Sequence, residues 1–312
     1  MSSSAVSGAG PRVLGIVLNY NGKELTRETL ASLQAMADPR LDLLVVDNGS
    51  TDGSFAAVAA EFPAVRQVRT EVNLGISGGL NLGIREGLVA GYDYLMLMNN
   101  DLEVDRRMLP ELLAAIERES AWGVVGPKCY FYFGDRTRIW SAGGILRFRE
   151  AVTRERGSGE IDRGQYDRDQ EVDYVNGACM LIRREAMLAT GLWDPVYQVS
   201  VEDADWCVRL KRAGYRCGYA HRARLWHKVS PTTGGYTAGR TFRTGRSTAI
   251  FVRKYADAGG WVSYLAWSAL ALPAALLREL PRGNARAVLA KYRGLVAGLR
   301  AALPEPPPAS GA

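Results

Sequence analysis

Three carboxylates, Glu202, Asp203 and Asp205, crowd the stretch "SVEDADWCVRLKRAG", Ser200 to Gly214, directly before a helical pattern of Trp206, Leu210 and Ala213 that closes on Gly214. Two kinds of chemistry fit them. Ser200 with Asp203 three residues on reads as a capping box, and acids in a first turn suit the positive end of the helix dipole. A carboxylate fixed at a helix entrance can also act as a general base toward a substrate hydroxyl. This stretch alone leaves open which of the three would do so, and an acid that does not, Asp205 for instance, would cap the helix. Amide and carboxylate side chains gather again in "NYNG" (Asn19, Asn21), in "DNGSTDGS" (Asp47, Asn48) and in "NND" (Asn99, Asn100, Asp101). Taken singly, each is turn chemistry, because Asn, Asp and Gly are the commonest turn formers.

The elements before these clusters change that reading. "VLGIVL" (Val13 to Leu18), "LDLLVV" (Leu41 to Val46) and "YLMLM" (Tyr94 to Met98) are apolar runs fit for buried strands, and each runs straight into one cluster. A helix through Leu25 and Leu30 to Met36 follows the first, a second reaches about Phe62, and "VRQVR" is a short third strand. Strands alternating with helices predict an α/β fold with a mostly parallel central sheet flanked by helices. Ligands in such sheets sit beyond the carboxyl ends of the strands, so the three clusters face one crevice, and a nucleotide is the expected occupant. Asp47 can accept hydrogen bonds from a base or ribose, and backbone amides around Gly75 to Gly79 can approach phosphates. The glycines Gly75, Gly78, Gly79 and Gly83 do not form the dinucleotide fingerprint, and no Walker A sequence occurs.

Composition narrows the class. The chain of 312 residues suits one large α/β domain with an appendage, or two domains. Four cysteines without a C-x-x-C pair suggest neither a zinc knuckle nor a disulfide framework, so a reducing cytosol is expected. The opening "MSSSAVSGAGPR" lacks a basic segment followed by an apolar one; residues 1–11 are expected to be a disordered leader, and the Pro-rich 304–312 a disordered tail. Charge is uneven. Residues 240–300 carry 11 Lys/Arg against two acids, a net +9, leaving −3 of the total +6 elsewhere. Within that region Ala258 to Leu277 holds no charge and bears Trp261, Tyr264 and Trp267, as an interfacial helix or a buried one would. No nucleic-acid motif accompanies the basic residues, so nucleic acid is not an expected partner. The polar stretch Arg147 to Glu171 reads as a mobile loop or small subdomain over the cleft, or as disorder.

Seven segments in order carry a resemblance: "VLNYNG", "VVDNGSTDGS", "NLGISGGLNLGI", "LMLMNNDLEVD", "VDYVNGACMLIRREAMLATGLWD", "SVEDADWCVRLKRAGYR" and "LWHKVS", spanning about Val13 to Ser230. The chain resembles the inverting family-2 glycosyltransferases of the GT-A fold, rhamnosyltransferase-like members in particular. The resemblance implies a catalytic domain over 12–238, with a nucleotide-binding half at about 12–126 and an acceptor-binding half at about 127–238, followed by a helical, basic and apolar region over 239–303. It implies a nucleotide-sugar site of Asn19, Asn21, Asp47, Asn48, Asn73, Gly75, Asn81, Asn99, Asn100 and Asp101. Asn176, Gly177, Trp193 and Glu202 are implied on the acceptor side, and Asp203 as the base.

In that family the "NND" position matches an Asp-x-Asp element holding a divalent ion on the donor diphosphate, and a later histidine often completes the metal site. Here Asn99 replaces the first carboxylate. Asp101 and His227 then become the expected ligands of Mg²⁺ or Mn²⁺, with the diphosphate supplying much of the shell. The implied reaction moves a sugar, L-rhamnose from dTDP-rhamnose or a UDP-linked sugar, to a glycan or lipid-linked acceptor at the cytoplasmic face of a membrane, with peripheral contact through the C-terminal region. Two other readings stay open. A sugar nucleotidyltransferase would want a Gly-rich loop with a basic residue after the first strand, where "NYNGKE" offers only Lys23; a non-catalytic sugar-nucleotide binder would have no need of Asp203.

Overall fold

The computed structural model describes residues 10–149, 151–229, 237–303 and 305–308. Most of the expected leader, part of the tail, Glu150 in the charged stretch and Ser230 of the last motif lie outside the described residues.

The first half alternates as its hydrophobic pattern predicts: β1 (Val13–Asn19), α1 (Lys23–Gln34), β2 (Leu41–Asp47), α2 (Ser54–Glu61), β3 (Arg66–Arg69), α3 (Gly75–Val89) and β4 (Tyr94–Asn99). The second half adds β5 (Leu102–Val104), α4 (Met108–Arg118), β6 (Trp122–Phe131), β7 (Ile139–Ser141), β8 (Gly144–Leu146), β9 (Thr153–Glu155) and β10 (Gln170–Val172). It continues with β11 (Cys179–Arg183), α5 (Arg184–Thr190), α6 (Glu202–Arg212) and β12 (Arg216–His227), and three helices close the chain: α7 (Ala238–Tyr255), α8 (Ala258–Glu279) and α9 (Ala285–Arg300).

The central sheet runs β10-β12-β6-β11-β4-β1-β2-β3. Its strands are parallel from β3 through β4, where the crossover helices demand it, and β11 then reverses against both β4 and β6. Side chains alternate between the two faces. Leu14, Ile16, Leu44, Val46, Leu95 and Leu97 bury against α3, α6 and α7, while Val13, Val17, Val45, Met96 and Met98 bury against α1, α2 and α4.

The glycines of α3 are explained by this packing. A Cβ on Gly79 would lie 2.5 Å from Leu18, on Gly83 2.5 Å from Ile16 and on Gly87 2.4 Å from Leu95. Spaced four apart, they make a flat face that lets the helix lie close on the sheet.

The stretch Arg147 to Glu171 is built into the fold wherever it is described. β9 inside it pairs with β8 just before it as a hairpin, and buried Lys128 of β6 holds Asp162 at 2.9 Å and Asp167 at 2.5 Å. The C-terminal helices are joined to the same body. Phe251 of α7 belongs to the cluster that includes Trp206, and α7 meets α9 so closely that a Cβ on Gly245 would lie 2.0 Å from the Lys291 carbonyl oxygen. In the tail, the Pro307 carbonyl accepts from Leu192 N–H at 2.9 Å, so a segment expected to be disordered includes residues that dock on the body.

Candidate active site

Strand register alone assembles the donor side. Asn19 ends β1 opposite Asp47 at the end of β2, and Leu18 opposes Asn99 at the end of β4. Asn19 is the hub. Its amide nitrogen donates to Asp47 Oδ2 (3.1 Å), Ser50 Oγ (3.2 Å) and Ser54 Oγ (2.8 Å), while its Oδ1 accepts from Thr26 Oγ1 (2.8 Å) and Asn100 Nδ2 (3.0 Å). Asp47 is wholly buried and takes Ser50 N–H at 3.0 Å and Arg69 Nε at 3.4 Å. Its oxygens are engaged within the protein, so in this state Asp47 shapes the strand-end loop, whereas the sequence suggested an oxygen presented to a base or ribose.

Asn48 holds the next loop, donating to Asn73 Oδ1 (3.1 Å) and to the Gly75 carbonyl (3.0 Å) and accepting from Leu74 N–H (3.0 Å). Asn21, with φ at +50°, accepts from Thr51 N–H at 2.8 Å. Asn81 has a different task from the one its motif implied: its amide bonds both the Trp193 carbonyl (2.8 Å) and the Trp193 N–H (2.9 Å), fixing a residue of the acceptor side.

Asp101 and His227 are brought together by pairing of β12 with β5, which sets His227 opposite Leu102. Asp101 Oδ1 lies 3.1 Å from His227 Nε2, both side chains are buried, and Trp140 meets the imidazole edge-on at 4.4 Å. One carboxylate and one imidazole fit a divalent ion that brings further oxygens with it; among the described residues no cluster of three or more acidic, His or Cys side chains would hold a metal unaided.

On the acceptor side the capping box does not form. The residue before α6 is Val201, which like Ser200 has positive φ (61° and 67°), and no side chain caps the helix. Asp203 reaches the segment before β11, where its Oδ2 accepts Gly177 N–H at 2.8 Å, while its Oδ1 accepts Ala204 N–H at 2.7 Å. Burial raises its proton affinity, partly offset by these two donors. Glu202, buried beside it, is pushed up to about 8 by burial and by the Asp203 charge, and its Oε2 has no hydrogen-bond partner among the described residues. The helix itself begins at Glu202, four residues before Trp206.

Asp205 is not a cap either. It is fully buried and receives Lys254 Nζ of α7 (2.5 Å), Tyr255 OH (2.6 Å), Tyr197 OH (3.0 Å) and Arg209 Nε (3.0 Å). Lys254 also holds Asp194 at 3.0 Å. Trp193 is buried, with its ring tip 3.5 Å from where a Cβ of Gly177 would stand. Asn176 is buried, with Oδ1 accepting from Ala178 N–H at 3.1 Å.

One residue here went unseen in the sequence. Glu155, at the end of β9, is half-buried here, accepting Tyr174 OH at 2.5 Å, Ser141 Oγ, and Asn176 Nδ2 at 3.5 Å. Desolvation pushes it up to about 7, with the Asp203 charge adding to the effect. It sits in a charge-rich stretch where composition gives no signal of enclosure; a signal was available only in the alternation of "TRE", where Thr153 and Glu155 are half-buried and Arg154 is exposed.

Comparisons with known proteins give the family and the fold. The family model described as Glycosyl transferase family 2 matches residues 16–189, and the chain belongs to that family. It is 26% identical over 273 residues, 81% of this chain and 87% of the other, to N-acetylglucosaminyl-diphospho-decaprenol L-rhamnosyltransferase of Mycobacterium tuberculosis. It is also 26% identical over 219 residues to poly-beta-1,6-N-acetyl-D-glucosamine synthase of Staphylococcus epidermidis, covering 69% of this chain but only half of that protein. A mannosyltransferase of Pyrobaculum calidifontis, solved with GDP-Man and Mn²⁺, superposes with a TM-score of 0.59 at 18% identity, over 94% of this chain and 88% of that one. The protein is a glycosyltransferase of GT-A type fold, as the motif order implied.

Proposed function

We propose that this glycosyltransferase works with inversion, moving a sugar from a nucleoside-diphosphate donor to a hydroxyl of a glycan or lipid-linked acceptor, with L-rhamnose from dTDP-rhamnose as the first donor to try. The observation that carries this reading is the half-buried Asp203, held at two points by backbone amides. In the reaction, the acceptor oxygen bonds to the anomeric carbon, the carbon–oxygen bond to the diphosphate breaks on the opposite face, and the hydroxyl proton passes to Asp203. The backbone donors hold the carboxylate in place and offset part of the effect of desolvation on it. Asp101 and His227 would hold a divalent cation, which when bound offsets negative charge on the leaving diphosphate. Asn48, Asn73 and Gly75 shape the donor loop, and Asn176, Gly177, Trp193 and Glu202 line the acceptor side.

The choice of donor and acceptor is supported by the M. tuberculosis relative, whose name specifies an L-rhamnosyl transfer onto a diphospho-decaprenol. A membrane-linked acceptor would suit work at the cytoplasmic face. α8 supports peripheral contact there: with the turn that follows it, Ala258–Arg282 is long and apolar enough to cross a bilayer, yet Val262, Leu265, Leu270 and Leu277 face outward from the body. Tyr264 differs from the expected interfacial anchor, because it turns inward and is buried. Incubation with a panel of sugar nucleotides tests the reading. Release of nucleoside diphosphate from dTDP-L-rhamnose on addition of a lipid-linked acceptor supports it; release of pyrophosphate from a nucleoside triphosphate and a sugar phosphate would make the protein a nucleotidyltransferase, and neither product would leave a binder.

A further inference from the structure

Two sets of enclosed acids in this molecule contrast. Asp205 and Asp194, both fully buried, and half-buried Asp162 each face a cation at 3.0 Å or less, which offsets their desolvation. Buried Glu202 and half-buried Glu155 have no ion pair among the described residues, and both lie around Asp203. A carboxylate kept in that state at a cost in stability needs another reason to be there.

For Glu155 the hydrogen bonds supply one. The hairpin of β8 and β9 is tied to the strand segment before β11 by Gly144 N–H donating to the Tyr174 carbonyl at 2.9 Å, and the Tyr174 ring lies so flat on it that a Cβ on Gly144 would approach to 2.1 Å. Glu155 then receives Tyr174 OH, Ser141 Oγ and Asn176 Nδ2. Asn176 is fixed at its other end by Ala178 N–H, and the peptide between them donates from Gly177 to Asp203. Hairpin, Asn176, Gly177 and Asp203 form one chain of contacts.

We propose that Glu155 is a positioning residue for the base, acting through Asn176 to hold the Gly177 amide on Asp203 and through its negative charge to strengthen Asp203 as a proton acceptor. This rests on Asp203 being the base. The titratable groups facing Glu155 are Tyr174 before β11, Cys129 of β6, and Asp203 of α6 with Glu202 beside it. Since Glu155 ionises at about 7, the wild-type rate should gain a step near neutrality above the limb set by Asp203.

The experiment uses the full chain with dTDP-L-rhamnose and a lipid-linked acceptor, following dTDP release from pH 5 to 9. Glu155→Gln keeps the shape and removes the charge: kcat should fall about 10-fold, KM for the donor should stay within about two-fold, and the step near pH 7 should vanish. Asn176→Ala added to Glu155→Gln should cost little more than either alone. A Glu155→Gln profile that superimposes on the wild type would overturn the proposal, as would full additivity with Asn176→Ala. Wild-type rate in Asp203→Asn would instead sink the base assignment itself.

A second readout needs no turnover. A carboxyl whose folded proton affinity is raised contributes stability below its unfolded value that is lost as pH rises through the folded value. For Glu155 that window runs from about 4.5 to beyond 7, so the wild-type melting temperature should fall more steeply across it than that of Glu155→Gln. Equal slopes would remove the buried charge on which the proposal depends.

Discussion

The donor and acceptor sides of the cleft are built on opposite electrostatic plans. On the donor side, Asn19, Asp47, Asn48 and Asn100 satisfy one another and the backbone, and the one wholly buried acid, Asp47, has Arg69 beside it. On the proposed acceptor side, buried Glu202 and half-buried Glu155 and Asp203 have no cation among the described residues. A closed network gives a rigid cradle for a ligand that brings its own charge. In an open one, desolvation raises the proton affinity of all three carboxyls. On the proposed reading, binding falls to one wall and proton transfer to the other.

The sharpest way to break that division is Asp203→Asn. The amide keeps the shape but cannot take a proton, so transfer should drop about 10³-fold in kcat while donor affinity by calorimetry stays within about two-fold. Loss of donor binding in this variant would mean that the two walls are not separate.

Next in size is the clamp that locks the acceptor wall to α7. Lys254→Met leaves Asp205 and Asp194 buried without their shared cation and should cost about 3 kcal/mol of folding stability, read as a lowered denaturation midpoint. Asp205→Asn in the same chain should recover part of it. A melt unchanged by Lys254→Met would show that Arg209 and the two tyrosines suffice for Asp205.

The donor wall is tested by its metal pair. Asp101→Ala should weaken donor binding about 10- to 100-fold and remove any dependence on Mg²⁺ or Mn²⁺, with His227→Ala milder and EDTA silencing the native enzyme. Full activity in EDTA would count against both ligands, and would leave Asp101 and His227 as a buried pair within the donor wall.

How much of this was legible in the sequence follows the same division. The residues proposed for the donor side lie within short motifs at strand ends, so apolar runs and turn chemistry pointed to them and β register aligned them. Local pattern was misleading where long-range partners decide. Asp205 reads as a helix cap until Lys254, 49 residues on, is seen beside it, and Asp203 reads as half of a capping box until Gly177 claims its oxygen. Asn81 reads as a donor contact but bonds Trp193, 112 positions away. Glu155 was hidden for the same reason: its partners Ser141, Tyr174 and Asn176 come from two other segments. The reversal of β11 in a sheet that begins parallel has no local signature either, since "CMLIR" is apolar in both directions.

The smallest expected effect lies outside the cleft, on the apolar face of α8. Removing the C-terminal region would be a poor test of membrane contact, because α7 carries Lys254 and Phe251 into the body and their loss would disturb the base helix. Val262 and Leu277 are better targets, being 70% and 76% exposed and outside the core. Basic residues near an anionic surface contribute roughly 1 kcal/mol apiece, and inserted aliphatic side chains add to that. The full chain should therefore float with vesicles containing anionic lipid at low salt and be largely released at high salt, as a peripheral protein is and a spanning one is not. Val262→Glu with Leu277→Glu should reduce flotation several-fold while leaving melting temperature and donor binding unchanged. If the wild type ignores such vesicles, or if the double variant floats as well as the wild type, α8 is not the membrane contact, and the lipid-linked acceptor loses the support that this face lends it.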